Sequence, residues 1–483
     1  MKRPELPQHQ QVRGWAEPEF TPPTPPRRRR HVRRYVLLGI AAVLVIVVGY
    51  VAVNYFQFLA GVSHIAALPS SSDLDGKEQN ILLVGDDHRP ANATPAQLAQ
   101  LGTEQDGGGT NTDTMMVLHI PATGDKISLI SLPRDSWVAI PGYGMNKLNA
   151  AFALGSSGGK GDSGGASLLI STVSDLTGLT INHFVRVSLL GFYTIAQALG
   201  PIEVCLNNAV NDPYSTLNLP AGVSTLNAQQ ALAFVRQRHG LPNGDLDREV
   251  RQQYFLSLEA HKIISAGTLL DPVKLHNVLA AISSSIQTDP NLDLISLAVR
   301  LHGVTKSSMT SATIPISGTP TIRVRGQGIS IVQVNTAAMP AFIQQMTGKA
   351  PPKTAMDGVT AAAPASVTVT VQNGRAVTGA AATATSALAA AGFQTTAPST
   401  VGATGLTTIE YPKGDEAGAK AVLAYVPGAR TVETDGIANV TLILGQDGLA
   451  VAAHASTPSS GAPATTTPPP AKANNYTATS CVN

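Results

Sequence analysis

Asn80-Ile-Leu-Leu-Val-Gly85 is a continuous apolar run closed by glycine, and its reading decides the fold. No polar residue alternates through it, so it reads as a strand covered on both faces. Two further runs, residues 114–119 and 126–132, have the same character and lead into or out of polar turns. Helical patterns at residues 166–176, 191–199 and 248–264 supply the cover, which makes a layered α/β domain the expected class. The domain is expected over residues 78–348.

Upstream, residues 36–53 form an uncharged apolar stretch, extended by Tyr55, Phe56, Phe58 and Leu59. Crossing a hydrocarbon core of ~30 Å takes ~20 residues. Arg27–Arg30, Arg33 and Arg34 stand directly before it, and no comparable basic cluster follows. The positive-inside rule then puts residues 1–34 in the cytoplasm and the rest outside the cell. A cleaved signal peptide would carry an apolar region of only ~7–15 residues, so an uncleaved signal anchor is expected at residues 35–59. Residues 1–34, rich in Pro and Arg, read as disordered, and residues 60–77 as a stalk.

Pro351, Pro352 and Pro364 mark a linker at residues 349–365. A smaller α/β module is expected at residues 366–453. Val367, Val369 and Val371 alternate toward Asn373-Gly374, with helices at 378–391 and 415–425 and strands at 407–411 and 440–444. A Ser/Thr/Pro/Ala-rich tail closes the chain at 454–483. The formal net charge of +2, with only 13% charged residues, argues against a nucleic-acid partner. The two cysteines, Cys205 and Cys481, are too few for a zinc site. Outside the membrane they could pair and tie the tail to the main domain.

Charge is concentrated in one place. Arg236, Arg238, Arg248 and Arg251 fall in Phe234-Val-Arg-Gln-Arg and Asp245-Leu-Asp-Arg-Glu-Val-Arg-Gln-Gln253. With Asp247 as N-cap, a helix over 248–264 puts Arg248, Arg251, Gln252 and Phe255 on one face. Arginines in a first turn oppose the helix dipole unless an anion binds there. The other reading is a set of surface arginines paired with Asp245, Asp247 and Glu249. Asp87 follows the first apolar strand and Asp113 precedes the second, so neighbouring strands would bring the two carboxylates together as Mg²⁺ ligands. As turn residues they would need no metal. Arg134, in Ser131-Leu-Pro-Arg-Asp135, and Arg89 could join a cationic pocket at the same edge, which suits a diphosphate with its metal. Gly155–Gly165 lacks P-loop spacing and reads as a flexible loop, and His183 reads as a packed core histidine. No serine-hydrolase elbow is present.

Taken in order, these motifs resemble the LytR–CpsA–Psr family of cell-wall enzymes. The matching segments are Asn80–Gly85, Asp113-Thr-Met-Met116, Ile127–Asp135, Asn146-Lys-Leu-Asn149, Ile181-Asn-His-Phe184, Gly191-Phe192, Ala231–Arg238 and Asp245–Gln253. The 366–449 module resembles the LytR C-terminal domain through Val371-Gln-Asn-Gly374 and Gly392-Phe393. The resemblance implies a central mixed sheet flanked by helices. It also implies an enzyme that moves a glycopolymer from a polyprenyl-pyrophosphate carrier onto peptidoglycan, at the membrane. The lipid tail would lie in an apolar tunnel with its pyrophosphate at an arginine-lined mouth. Asp87 and Asp113 would hold Mg²⁺ or Mn²⁺. Arg89, Arg134, Arg236, Arg238, Arg248 and Gln252 would bind pyrophosphate, with Lys147 and Arg251 as weaker candidates. Asn111 stands where the family commonly has Arg. The chemistry implied is phosphotransfer, with Asp87, Asp113, Arg134 and Arg248 as catalytic residues. A phosphatase acting on the same lipid and a non-catalytic wall-binding or regulatory protein are the alternatives.

Overall fold

The computed structural model describes residues 28–68, 77–86, 94–95, 98, 112–123, 127–263, 265–294, 296–297, 300, 309–324, 327–349, 356, 358–375, 377–452, 474 and 480–483, without side chains at 28–32, 266 and 269. The chain divides into two compact units, Met1–Phe56 and Gln57–Asn483. Helix α1, Arg28–Gly61, dominates the first. Its 29-residue portion Arg33–Gly61 is long and apolar enough to cross a membrane, running ~44 Å at ~1.5 Å per residue. Leu37, Val45 and Ile46 are exposed, an arrangement suited to lipid and wasteful in water.

In the second unit the opening run is strand β2 (Gln79–Asp86). The core is a seven-stranded mixed sheet in the order β1-β12-β7-β2-β3-β4-β13. Its strands are β1 (Ser63–His64), β2 (Gln79–Asp86), β3 (Thr112–Ile120), β4 (Ile127–Ser131), β7 (His183–Ser188), β12 (Ile286–Thr288) and β13 (Met309–Thr313). Strand β2 pairs antiparallel with β3 and parallel with β7. Residue alternation gives the sheet two apolar faces. Leu82, Val84, Met115, Val117 and Phe184 pack with Phe152, Leu169 and Val173 from helices α2 (Ala150–Ser156) and α3 (Gly161–Thr177). The intervening positions, Leu83 with its register partners Met116 and Val185, face the other way.

That second face is roofed by α4 (Leu189–Leu199), α5 (Ala228–Arg236) and α6 (Asp245–Ile263). Helix α5 begins with a capping box in which Asn227 Oδ1 accepts from Gln230 N at 2.9 Å and Gln230 Oε1 accepts from Asn227 N at 3.0 Å. Two small ladders flank the helices, β8 (Ile202–Leu206) with β11 (Gly222–Leu226) and β9 (Val210–Asp212) with β10 (Leu217–Leu219). The hairpin β5 (Trp137–Ile140) and β6 (Gly144–Lys147) follows Arg134.

Two local expectations are corrected. Helix α6 starts at Asp245, so Asp247 lies inside its first turn, where its carboxylate accepts from Asn243 N at 2.9 Å and Asn243 Nδ2 at 3.0 Å. The glycines of 155–165 do not form a loop as a whole. They end α2 and begin α3, and a Cβ at Gly155 would come within 2.9 Å of the Gly165 Cα. They serve close helix packing, with only a short turn between.

The smaller module has its own core and a sheet in the order β15-β14-β19-β17-β18. These are β14 (Thr368–Asn373), β15 (Gln394–Thr395), β17 (Thr408–Tyr411), β18 (Arg430–Glu433) and β19 (Val440–Leu444), with β16 (Ser399–Thr400) also on β14. Two helices cover it, Ala380–Ala390 and Glu416–Leu423, the second capped by Asp415. Strand β18, missing from the sequence reading, pairs parallel with β17 at the sheet edge.

Candidate active site

Between the second sheet face and the roof lies a cavity of about 580 Å³. Leu83, Met116, Val185 and Val187 line its floor, and Phe192, Leu232, Phe255 and Leu256 line its roof. At one end the wall changes to Asp113, Arg236, Arg238, Arg248 and Gln252. An apolar slot closed by a cationic mouth fits an amphiphile with an anionic head.

The mouth is built by strand ends and by the start of α6. Strands β2 and β3 are neighbours, with Asp86 in register with Thr112, so Asp113 stands at the shared edge. Arg134, just after β4, donates through NH1 to Asp113 Oδ1 and through Nε to Asp245 Oδ2 at 3.0 Å. Asp245 also accepts from Arg238 Nε at 3.2 Å and from Arg248 NH2 at 3.4 Å. Arg238 NH2 lies 3.8 Å from the second oxygen of Asp113. Asp135 Oδ2 lies 3.8 Å from Arg134 Nε and its other oxygen holds Lys147, so Arg134, Arg238, Arg248 and Lys147 face Asp113, Asp135 and Asp245, and the group keeps an excess of positive charge.

Arg248 is the most buried member, 2% exposed, and its Nε has no hydrogen-bond partner among the described residues. Burial, together with the like charge of Arg238, holds its pKa below the ordinary arginine value, with Asp245 opposing. For Arg134 burial also acts downward, but Asp113 and Asp245 outweigh it and raise the pKa. A buried cation with a spare donor gains from an anion, which a water-facing ion pair does not. Of the two sequence readings of these arginines, the pairing one holds in part. Asp245 does pair with them, yet the group is sunk beside a cavity. Asp247 bonds to Asn243 instead, and Glu249 is buried.

Helix α6 presents two different stripes. Arg248, Gln252, Phe255, Leu256 and Glu259 line the cavity. Arg251, placed on that face by the sequence reading, is on the adjoining stripe and absent from the cavity wall. It is fully buried, donates through NH1 to Gln237 Oε1, lies over the Phe234 ring at 4.8 Å, and donates through Nε to the main-chain oxygen of Asn483 at 2.5 Å. One turn along the same stripe, Tyr254 Oη accepts from Cys205 N at 3.0 Å. Cys205 and Cys481 form a disulfide, and Val482 bridges to Leu206. The pairing open in the sequence is made, and it delivers Asn483 to Arg251.

Lys147 is set back from the cavity, with its Nζ on Asp135 Oδ1 at 2.8 Å. Arg236 lines the mouth. Gln252 Nε2 donates to Val235 O at 3.2 Å, while its Oε1 is buried without a partner among the described residues. His183 is buried, its Nδ1 3.1 Å from Asp289 Oδ2. Asp87, Arg89, Asn111, most of residues 90–109, stalk residues 69–76 and most of the tail lie outside the described residues. Asp86 is committed to Arg186 of β7, which also reaches Asp162 at 2.8 Å.

No group of three or more His, Cys, Asp or Glu that could cage a metal occurs among the described residues. Asp113, with its side chain 27% exposed at the cavity edge, gives Oδ1 to Arg134 and keeps Oδ2, 3.8 Å from Arg238, as a hard donor without a hydrogen bond among the described residues. That fits Mg²⁺, which uses one or two carboxylates and takes its other oxygens from phosphate and water. The sequence reading missed the role of Asp245 as the bridge between three arginines, took the buried Glu249 for a surface ion-pair partner, and missed Glu259. Burial pushes both glutamate carboxyls up to about 8, with Arg248 partly opposing at Glu249. Glu259 had a sequence signal, as an acid four residues after Phe255 on an apolar helix stripe.

The LytR_cpsA_psr family model matches residues 61–348. The model described as LytR cell envelope-related transcriptional attenuator matches residues 366–447. The chain is 38% identical over 296 residues to cell wall biosynthesis protein LcpA of Corynebacterium glutamicum, a match covering 56% of this chain and 56% of that protein. The chain thus spans little more than half the length of that relative. It is 30% identical over 301 residues to polyisoprenyl-teichoic acid–peptidoglycan teichoic acid transferase TagU of Oceanobacillus iheyensis, covering 59% of this chain and 87% of that one. A solved LytR-Csp2A-Psr enzyme from Actinomyces oris aligns with a TM-score of 0.43 at 21% identity, covering 60% of this chain and 96% of that one. With its main domain matched over nearly its whole extent, the chain belongs to the LytR–CpsA–Psr family.

Proposed function

We propose that this protein is a phosphotransferase that moves a glycopolymer from a polyprenyl-pyrophosphate carrier to peptidoglycan, forming a phosphodiester at the outer face of the membrane. The observation that carries this reading is the apolar cavity of about 580 Å³ ending at Arg236, Arg238, Arg248, Gln252 and Asp113. An isoprenoid tail suits the slot, and a pyrophosphate suits the mouth. The relative TagU is named for the same class of transfer. The apolar α1 is consistent with a single-pass anchor, and the arginines before it favour a cytoplasmic N-terminal segment.

In this mechanism a peptidoglycan sugar hydroxyl attacks the phosphorus bonded to the incoming glycan. The new O–P bond forms as the bridging P–O bond breaks, polyprenyl phosphate leaves, and the hydroxyl proton is lost at the open mouth. Such reactions depend on positioning and charge stabilisation more than on a strong nucleophile. Arg248 and Arg238 clamp the pyrophosphate, assisted by Arg236 and Gln252 and by Arg89 from outside the described residues. Arg134 orients Asp113 and adds to the positive field, and Lys147 acts behind it through Asp135. Asp113 and Asp87 are assigned as ligands of Mg²⁺ or Mn²⁺, which when bound would neutralise charge developing on the phosphoryl oxygens. Arg251 is reassigned from phosphate binding to positioning, because it is absent from the cavity wall and its Nε and NH1 donate to Asn483 and Gln237, which leaves only NH2 without a partner among the described residues.

The test is to incubate the purified protein with a synthetic polyprenyl-pyrophosphate glycan, peptidoglycan and Mg²⁺. Covalent glycan–peptidoglycan product is expected, and Asp113→Ala and Arg248→Ala should each lower its rate by about 10²-fold or more. Full activity in both variants would sink the assignment. Phosphate release without attachment would favour the phosphatase, and lipid binding without turnover the wall-binding protein.

A further inference from the structure

Beyond the cationic group, the rim of the cavity carries a pair of stacked rings that the mechanism above does not use. Tyr214 and His239 lie with ring centroids 4.1 Å apart and planes 27° from parallel, and both line the cavity. Tyr214 is 78% exposed. Single exposed aromatics are ordinary on protein surfaces and need no explanation. This one is held out deliberately. Asp212, itself 3% exposed, accepts from Tyr214 N at 3.0 Å and from Ser215 Oγ at 2.7 Å. Thr216, next in the loop, has φ of +60°, a conformation that a β-branched residue adopts only under constraint. The backbone that carries the second ring is held, since Gln237 Nε2 donates to the His239 carbonyl at 2.9 Å while Gln237 Oε1 accepts from Arg251.

His239 directly follows Arg238, whose guanidinium reaches Asp113 and Asp245. The platform therefore begins one residue from the pyrophosphate clamp. With the tail in the slot and the head on the arginines, the part of a ligand that emerges at this rim is carbohydrate. A pyranose has one face of C–H groups and an edge of hydroxyls. The C–H face packs on an aromatic ring, and the hydroxyls remain in water.

We propose that Tyr214, backed by His239, is a sugar-stacking subsite for a pyranose ring at the mouth of the cavity, selecting for the glycan rather than for the lipid pyrophosphate. The inference rests on the proposed function. The ring would belong to the first sugar of the carrier-linked glycan or to the acceptor glycan, and the test separates the two.

The experiment measures binding to the full chain in detergent micelles. The probes are sugar-free polyprenyl pyrophosphate, the same lipid carrying a disaccharide, and a soluble peptidoglycan fragment. Tyr214→Ala should weaken binding of the disaccharide lipid by about 10-fold and leave the sugar-free lipid within about twofold, while Tyr214→Phe stays near wild type. A loss confined to the peptidoglycan fragment would support the subsite and assign it to the acceptor. The proposal is overturned if Tyr214→Ala changes neither sugar-bearing probe, or weakens the sugar-free lipid equally. Should the wild-type protein bind neither lipid, the proposed function itself fails, and the subsite falls with it. An unchanged melting temperature in Tyr214→Ala checks that the rim loop has not collapsed.

Discussion

Arg134 and Asp245, 111 residues apart in the chain, meet with Nε 3.0 Å from Oδ2, and the same carboxylate receives Arg238 and Arg248. One acid thus fixes three guanidiniums. Asp245→Asn should keep the fold but release them from a common geometry. We expect turnover to fall about 10–100-fold, the scale of a small misplacement of catalytic groups. The melting temperature should move by no more than a few degrees. A steady-state transfer assay with a thermal melt checks both.

The two arginines of α6 should separate cleanly. Arg248→Ala removes a buried donor at the cavity mouth and should lower turnover about 10²–10³-fold, with little loss of stability. Arg251→Ala leaves Gln237 and the Asn483 oxygen without their buried partner, at about 2–3 kcal/mol. That corresponds to roughly 5–10 °C in melting temperature. Lipid binding and melting curves on both variants give the comparison. Equal loss of lipid affinity would return Arg251 to the phosphate site.

The Cys205–Cys481 disulfide joins positions 276 residues apart. The chain-entropy model assigns a loop of that length about 5.6 kcal/mol. Reduction, or Cys481→Ser, should therefore lower the melting temperature by several degrees or more. Hydrogen exchange should rise first at β8 and at Arg251, where the bridged segment is attached. Protection unchanged at β8 would show that the segment holds without the bond.

Glu259 gives a pH dependence with a definite sign. Its carboxyl titrates at about 8 in the folded protein against an ordinary 4.5, because it is buried. The folded state holds this proton more tightly than the unfolded chain. Its contribution to stability is thus complete below about 4.5 and is lost as pH rises through about 8. Glu259→Gln should match wild type near pH 4 and melt several degrees higher at pH 8–9. Glu249, also raised to about 8, leaves a residual slope in the variant. Melting curves across that range decide it.

Strands with continuous apolar runs, such as Asn80–Gly85, were legible because burial on both faces leaves no polar alternation to misread. The membrane-length helix and the arginine group were legible for similarly local reasons. Arg251 was not, because a three-residue step on a helix turns a side chain by ~60°. That was enough to move it from the cavity wall to the flank facing Asn483. Nor could sequence show that Asp245 serves Arg134, since that meeting depends on how β4 and α6 are brought together. The glycines of 155–165 misled because glycine serves both mobility and close packing, and only the neighbouring backbone tells which.

The bond between Cys205 and Cys481 makes the whole stretch between them a covalent ring, and the 366–447 module lies within it. That module is therefore not a pendant domain that can be cut away without consequence. A chain ending after Gly348 would also lose Val482 from β8 and Asn483 from Arg251. Any change in catalysis seen after such a truncation would report on the anchoring of α6 as much as on the module. Cleaving the ring at one point, with the disulfide intact, separates the two effects, because both ends stay attached.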